Sequence, residues 1–138
     1  KLDLNVKSHL FKSINNNNTI VFFNEAEKSK IMFFRKKKIN LIKSKINKNK
    51  KFDITIIMKK LYSLGFRNIL VEGGNDLTNY FLKKKLFNKF YLYKSPKKLS
   101  ISNDFKKFTG LKILKKNYKN KLKLKSNFGK DIITLHRN

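Results

Sequence analysis

The sequence predicts an α/β domain with a mixed sheet, mostly parallel through its middle and antiparallel at its end. Three observations carry this. Short β-branched and aromatic runs alternate with helix-period patterns over residues 19–86, as in strand-crossover-strand units. The last third instead offers strand-like runs in succession, as in an antiparallel meander. The chain has 138 residues and is 40% hydrophobic with a single proline, which suits one folded core rather than a disordered basic tail.

Element by element, "KLDLNVKSHLF" at 1–11 has no strong period and reads as an extended lead-in, and "NNNN" at 15–18 as a polar connection. "TIVFF" at 19–23 is β-branched and aromatic, hence a buried strand. Asn24 stands where an N-cap would, with Glu25 and Glu27 in the first turn of a short helix. Residues 39–43 return to strand character, and "NKNKK" at 47–51 is a solvated connection. The strongest helix follows Phe52: Asp53 is the capping residue, Ile54, Ile57, Met58, Leu61 and Leu64 recur at helical spacing, and Gly65 ends it. "RNILV" at 67–71 is a compact strand, Glu72-Gly73-Gly74 a turn, and 75–86 a helix with Leu77, Tyr80 and Phe81 on one side. Residues 88–95 form a strand stopped at Ser95-Pro96. Three further strands are expected at 111–118, 121–128 and 130–137, separated by Gly110 and Phe128-Gly129. No internal repeat or domain boundary interrupts the series.

Composition narrows the function classes. A formal charge of +27 invites a nucleic-acid reading, because clustered cations displace counterions from a phosphate backbone. Yet the only arginines are Arg35, Arg67 and Arg137, and arginine is the preferred bidentate phosphate and base ligand. Lysine is spread over the whole chain beside abundant asparagine, isoleucine and phenylalanine, a composition that strong A+T codon bias gives an ordinary enzyme; a functional basic surface is the other reading. The absence of cysteine excludes disulfides and thiolate chemistry, and two distant histidines, His9 and His136, do not make a metal site. No apolar run reaches the roughly 18 residues of a membrane span, and no secretory signal opens the chain, so a cytoplasmic protein is expected. The start at Lys1, without methionine and close to structured sequence, suggests a processed, trimmed or partial chain.

The stretch "NILVEGGNDLTNYF" at 68–81 carries the chemistry. Ligands of open α/β sheets bind beyond the carboxyl ends of strands, and this run delivers Glu72 to such an end. Glycines allow a sharp turn and a close ligand approach, and the amides opening the next helix attract phosphate. Glu72 beside such a cradle suits acceptance of hydrogen bonds from a heterocycle or sugar. Asn75 or Asp76 is the candidate helix cap, and Asp76 facing the ligand would oppose an anion. The plain alternative is a glycine turn with no ligand, and the stretch is not the GxGxxG dinucleotide fingerprint.

Residues 64–99, "LGFRNILVEGGNDLTNYFLKKKLFNKFYLYKSPKKL", resemble the reductase domain of bacterial riboflavin-biosynthesis proteins, usually fused behind a pyrimidine deaminase. The closing "FGKDIITL" is similar to that family's last strand. The resemblance implies a dihydrofolate-reductase-like fold and NADPH-dependent reduction of 5-amino-6-(5-phosphoribosylamino)uracil to its ribitylamino form. It implies that Glu72 contacts the phosphorylated pyrimidine substrate. It further implies that Gly74, Asn75, Asp76, Leu77, Thr78, Asn79 and Tyr80 line the NADPH phosphates, with a core role equally open for Leu77 and Tyr80 and a plain surface role for Thr78. It also implies a homodimer and a fused deaminase in the full-length protein. No residue is assigned to catalysis. Two departures stand out: Ser100 replaces a family glycine, and the family's opening strand and its Thr-x-x-x-Asp-Asp-Pro stretch are not in the sequence. The expectation is therefore a single partial reductase domain spanning 1–138, binding NADPH poorly on its own.

Other features have plain readings. His9 and His136 suit a polar surface or a strand face, and the charge runs at 34–38 and 81–85 suit solvated faces. Phe90, Tyr91 and Tyr93 could form a base-stacking platform, but strand packing accounts for them. Two competing functions remain: a small basic RNA-binding module, and a divergent relative acting on another nucleotide-like substrate.

Overall fold

The computed structural model describes residues 2, 4, 19–97, 108–125 and 129–138. The expectations for 1–11, 15–18, His9, Ser100 and Phe128 fall wholly or largely outside these residues. The chain divides into two compact units, Lys1–Ile69 and Leu70–Asn138. The class is α/β with parallel and antiparallel sheets and accompanying helices, as expected.

In the first unit, β1 (Ile20–Phe23) and β2 (Asn40–Lys43) pair in parallel, from Ile20 opposite Asn40 to Phe23 opposite Lys43. The crossover between them is helix α1, Lys28–Lys36. Its buried Phe34 packs with Leu2, Phe23 and Ile39, and Leu4, Val21, Ala26, Ile31 and Leu41 surround them. The expected cap at Asn24 is not made. Asn24 instead donates from Nδ2 to the Ser44 carbonyl at 3.2 Å, tying the end of β1 to the residue after β2, and α1 begins four residues later behind Glu27. A longer-range partner has outbid the local cap, and Glu25 and Glu27 precede the helix instead of lying in its first turn. Helix α2, Ile54–Ser63, starts as predicted, with Asp53 Oδ1 accepting from the Thr55 amide at 2.9 Å. It ends at Gly65, whose φ of +96° few other residues adopt.

The second unit holds α3 (Asn75–Lys84), β3 (Lys89–Lys94), α4 (Gly110–Asn117), β4 (Lys121–Leu124) and β5 (Ile132–Arg137). Its three strands form an antiparallel sheet in the order β3-β5-β4, with Lys89 opposite Arg137 and Lys121 opposite His136. Leu82, Leu114 and Tyr118 are its buried centre, enclosed by Phe87, Phe90, Leu92, Phe108 and Ile113.

Two predicted strands are corrected. Residues 110–117 are helical, because Gly110, Leu114 and Tyr118, spaced four apart, are the buried positions, while Leu111 is exposed. Alternation of Leu111 and Ile113 imitated a strand, but burial follows the period of four. Residues 67–71 form no strand among the described residues. Strand propensity needs a neighbouring edge to become a ladder, and this run joins neither sheet. It lies where the two units meet in sequence, with Ile69, Leu70 and Val71 all exposed.

Candidate functional site

The Glu72-Gly73-Gly74 turn leads directly into α3. Gly74 is the N-cap, with extended backbone angles of −73° and −177° and no side-chain cap bond, so neither Asn75 nor Asp76 takes that role; they are the first and second helical residues. The first helical bond runs from the Thr78 amide to the Gly74 carbonyl at 3.1 Å. The two glycines differ. A Cβ at Gly73 would lie 2.6 Å from Leu77 Cδ2, so this glycine is matched to the helix it introduces. Among the described residues, a Cβ at Gly74 would meet nothing within 4 Å. Helix geometry leaves the first-turn amides without acceptors inside the helix, and an anion at the helix start faces their partial positive charge.

Glu72 is exposed two residues ahead of the Gly74 cap, at the end of an irregular segment and not of a strand. Thr78 donates its hydroxyl back to the Gly73 carbonyl at 3.4 Å, which latches the turn. Asp76 is exposed in the first turn, where its charge favours the helix dipole and opposes an incoming anion. Leu77 and Tyr80 are half-buried, and the fully buried positions of α3 are Phe81 and Leu82. Asn75 and Asn79 turn to α4: Asn75 Oδ1 accepts from the Thr109 amide at 3.2 Å, and Asn79 Nδ2 donates to Thr109 Oγ1 at 2.6 Å. The other carboxamide atom of Asn79, Oδ1, is buried without a hydrogen-bond partner among the described residues. Thr109 was not picked out from sequence, although a threonine directly before Gly110 has the chemistry of a helix cap.

The far end of α3 has a different character. Lys85, Lys116, Lys119 and Arg137 line a shallow hollow of about 470 Å³ at the carboxyl ends of α3 and α4. Beneath it, the Tyr118 hydroxyl donates to the Leu82 carbonyl at 2.9 Å, and His136 Nδ1 lies 3.2 Å from the Tyr118 carbonyl. His136 is thus a buried strand-face residue, held by backbone and by the Phe90 ring edge. Burial pushes the Tyr118 phenol above its ordinary pKa. Among the described residues no group of three His, Cys, Asp or Glu side chains could hold a metal ion, and no helix is long and apolar enough to cross a membrane.

The glycine turn opens a helix whose first-turn amides are of the kind that attract an anion, with a carboxylate just before it. The family model described as the RibD C-terminal domain matches residues 1–134, and the chain belongs to that family. It is also similar to the riboflavin biosynthesis protein RibD of Buchnera aphidicola subsp. Baizongia pistaciae (strain Bp), being 39% identical over 51 residues. That match covers 37% of this chain and 14% of the relative.

Proposed function

We propose that the chain acts in riboflavin biosynthesis as an NADPH-dependent reductase. It reduces 5-amino-6-(5-phosphoribosylamino)uracil to 5-amino-6-(5-phosphoribitylamino)uracil. The observation that carries the reading is the Gly74 cap of α3, two residues after Glu72, in a chain that belongs to the RibD C-terminal domain family. NADPH would supply the hydride, delivered to C1 of the opened, imine-like sugar. The protein's part is positioning. The turn at Gly74 and α3 through Tyr80 would hold the dinucleotide phosphates, and the Glu72 carboxylate would accept hydrogen bonds from the pyrimidine or sugar. Support comes from the lack of described atoms near a Cβ at Gly74, with the Thr78 hydroxyl bonded to Gly73 and the Asn75 and Asn79 side chains bonded to Thr109.

The same proposal holds that the working enzyme is a cytoplasmic homodimer. It also holds that sequence ahead of Lys1 completes the domain and joins it to a deaminase. Oxidation of NADPH, followed with the uracil substrate for this chain and for one extended upstream, tests it. Substrate-dependent oxidation by the longer chain and little by the shorter is expected; full activity of the short chain would remove the upstream part, and none from either would remove the reductase reading.

The RNA-binding reading has less support. One basic surface among the described residues, the hollow with Lys85, Lys116, Lys119 and Arg137, lies at two helix carboxyl ends, where the dipoles themselves attract lysine and disfavour phosphate.

A further inference from the structure

We propose that Thr109 is a positioning residue for the first turn of α3, acting through Asn75 and Asn79; this rests on the dinucleotide reading above. A threonine at an N-cap ordinarily turns its hydroxyl onto the amides of its own helix. Thr109 caps α4 without such a bond. Its hydroxyl oxygen instead takes the Asn79 Nδ2 proton at 2.6 Å, and its amide is given to Asn75 Oδ1 at 3.2 Å. Asn75 and Asn79 are one helical turn apart on one face of α3, so one residue grips that turn at both ends.

The grip is possible because α4 comes very near. A Cβ at Gly110 would lie 2.8 Å from Leu82 Cδ1 and would overlap the Phe108 ring, so only glycine admits this approach. The start of α4 is thereby pressed against α3 at Leu82 and hydrogen-bonded to it at 79 and 75. Asn75 directly follows Gly74, and its placement sets the direction in which the first-turn amides point. The arrangement forgoes the α4 side-chain cap and leaves Asn79 Oδ1 buried without a partner among the described residues. In either orientation of that carboxamide, Thr109 Oγ1 satisfies only one of its two atoms.

Thr109→Val removes the hydroxyl at nearly constant shape and keeps the amide bond to Asn75; Thr109→Ser keeps both. In full-length protein, Thr109→Val is expected to raise the KM for NADPH about tenfold while kcat stays within about twofold, the scale of a small misplacement of a binding group. Thr109→Ser should restore it, and Asn79→Ala should add little to Thr109→Val. Without nucleotide, amide hydrogen exchange should quicken at 78–80, whose amides bond back to residues 74–76, in Thr109→Val and stay unchanged in α1. An unaltered KM in Thr109→Val, with wild-type protein using NADPH normally, overturns the role of Thr109 alone. Equal losses in KM and kcat that Thr109→Ser does not rescue overturn it too, as a packing effect. Wild-type protein that does not take NADPH overturns the site reading and this inference with it.

Discussion

Replacing Tyr118 by phenylalanine isolates one hydrogen bond at the centre of the second unit. Lys85 leaves α3 in the left-handed conformation, with φ of +54°, and the Leu86 amide bonds back to the Phe81 carbonyl at 3.0 Å. Leu86 is the residue whose amide would have served the Leu82 carbonyl had the helix continued. The Tyr118 hydroxyl serves it instead, at 2.9 Å, beside a Leu82 side chain that is 0% exposed. The phenylalanine ring keeps the contact with Phe87, whose centroid is 5.0 Å away. What is lost is the partner of a buried carbonyl, so a cost of about 1–3 kcal/mol is expected.

The same substitution removes a pH dependence. The folded state holds the Tyr118 proton more tightly than the unfolded state, because burial disfavours the phenolate. Its contribution is therefore fully present below the ordinary tyrosine pKa and declines as pH rises above it toward the raised folded value. Urea midpoints followed by amide exchange in α3 and α4, at neutral pH and at increasing alkalinity, measure both effects. A Tyr118→Phe protein within about 0.5 kcal/mol of wild type at neutral pH would show that the Leu82 carbonyl does not depend on this hydroxyl. An alkaline decline as steep as wild type's would assign that decline to the lysines.

Lys85→Gly should stabilise the second unit by about 0.5–1 kcal/mol, since glycine takes the left-handed position without Cβ strain; chemical denaturation reads the change directly. Gly110→Ala should destabilise despite the better helix former, because overpacking against Leu82 costs about 1–3 kcal/mol and the propensity gain is at most about 1 kcal/mol. Asp53→Ala should cost the first unit about 1 kcal/mol through the lost bond to Thr55, with Asp53→Asn close to wild type in thermal unfolding. Gly74→Val should leave the melting temperature within a few degrees while lowering NADPH affinity about tenfold or more, as judged by fluorescence titration; equal losses of fold and affinity would sink the phosphate reading.

What the sequence made legible follows from the range of the forces involved. The Asp53 cap, the stop at Gly65, the parallel-paired runs at 20–23 and 40–43 and the antiparallel end rest on local chemistry or on simple periodicity, and each is present. Asn24 misled because its side chain serves Ser44, twenty residues away. Residues 111–118 misled because a lysine-rich run offers few apolar positions, and alternation and helical spacing then fit almost equally well; only burial of Gly110, Leu114 and Tyr118 decides. The run at 67–71 has strand composition and no strand, which is what propensity without a partner edge yields. Within the candidate site, the glycine turn and its helix were readable as a motif. The use of Asn75 and Asn79 was not, because it depends on Thr109, more than thirty residues further along the chain.

The positive charge takes on a more specific meaning at this level. Arg35 and Lys36 end α1, Lys60 lies in the last turn of α2, Lys83 and Lys84 in that of α3, and Lys115 and Lys116 in that of α4. Each helix therefore closes on cations that its carbonyl end attracts, typically by about 0.3–1 kcal/mol apiece. The start of α3 differs: it carries Asp76 and no lysine between Glu72 and Asn79. In a chain where lysine has filled so many polar positions, an anion at that turn would rely on backbone amides and dipole, with Asp76 working against it. Binding dominated by oriented amides depends on exact geometry and only weakly on bulk charge, so dinucleotide affinity should fall much less steeply with salt than RNA binding by the lysine surfaces would.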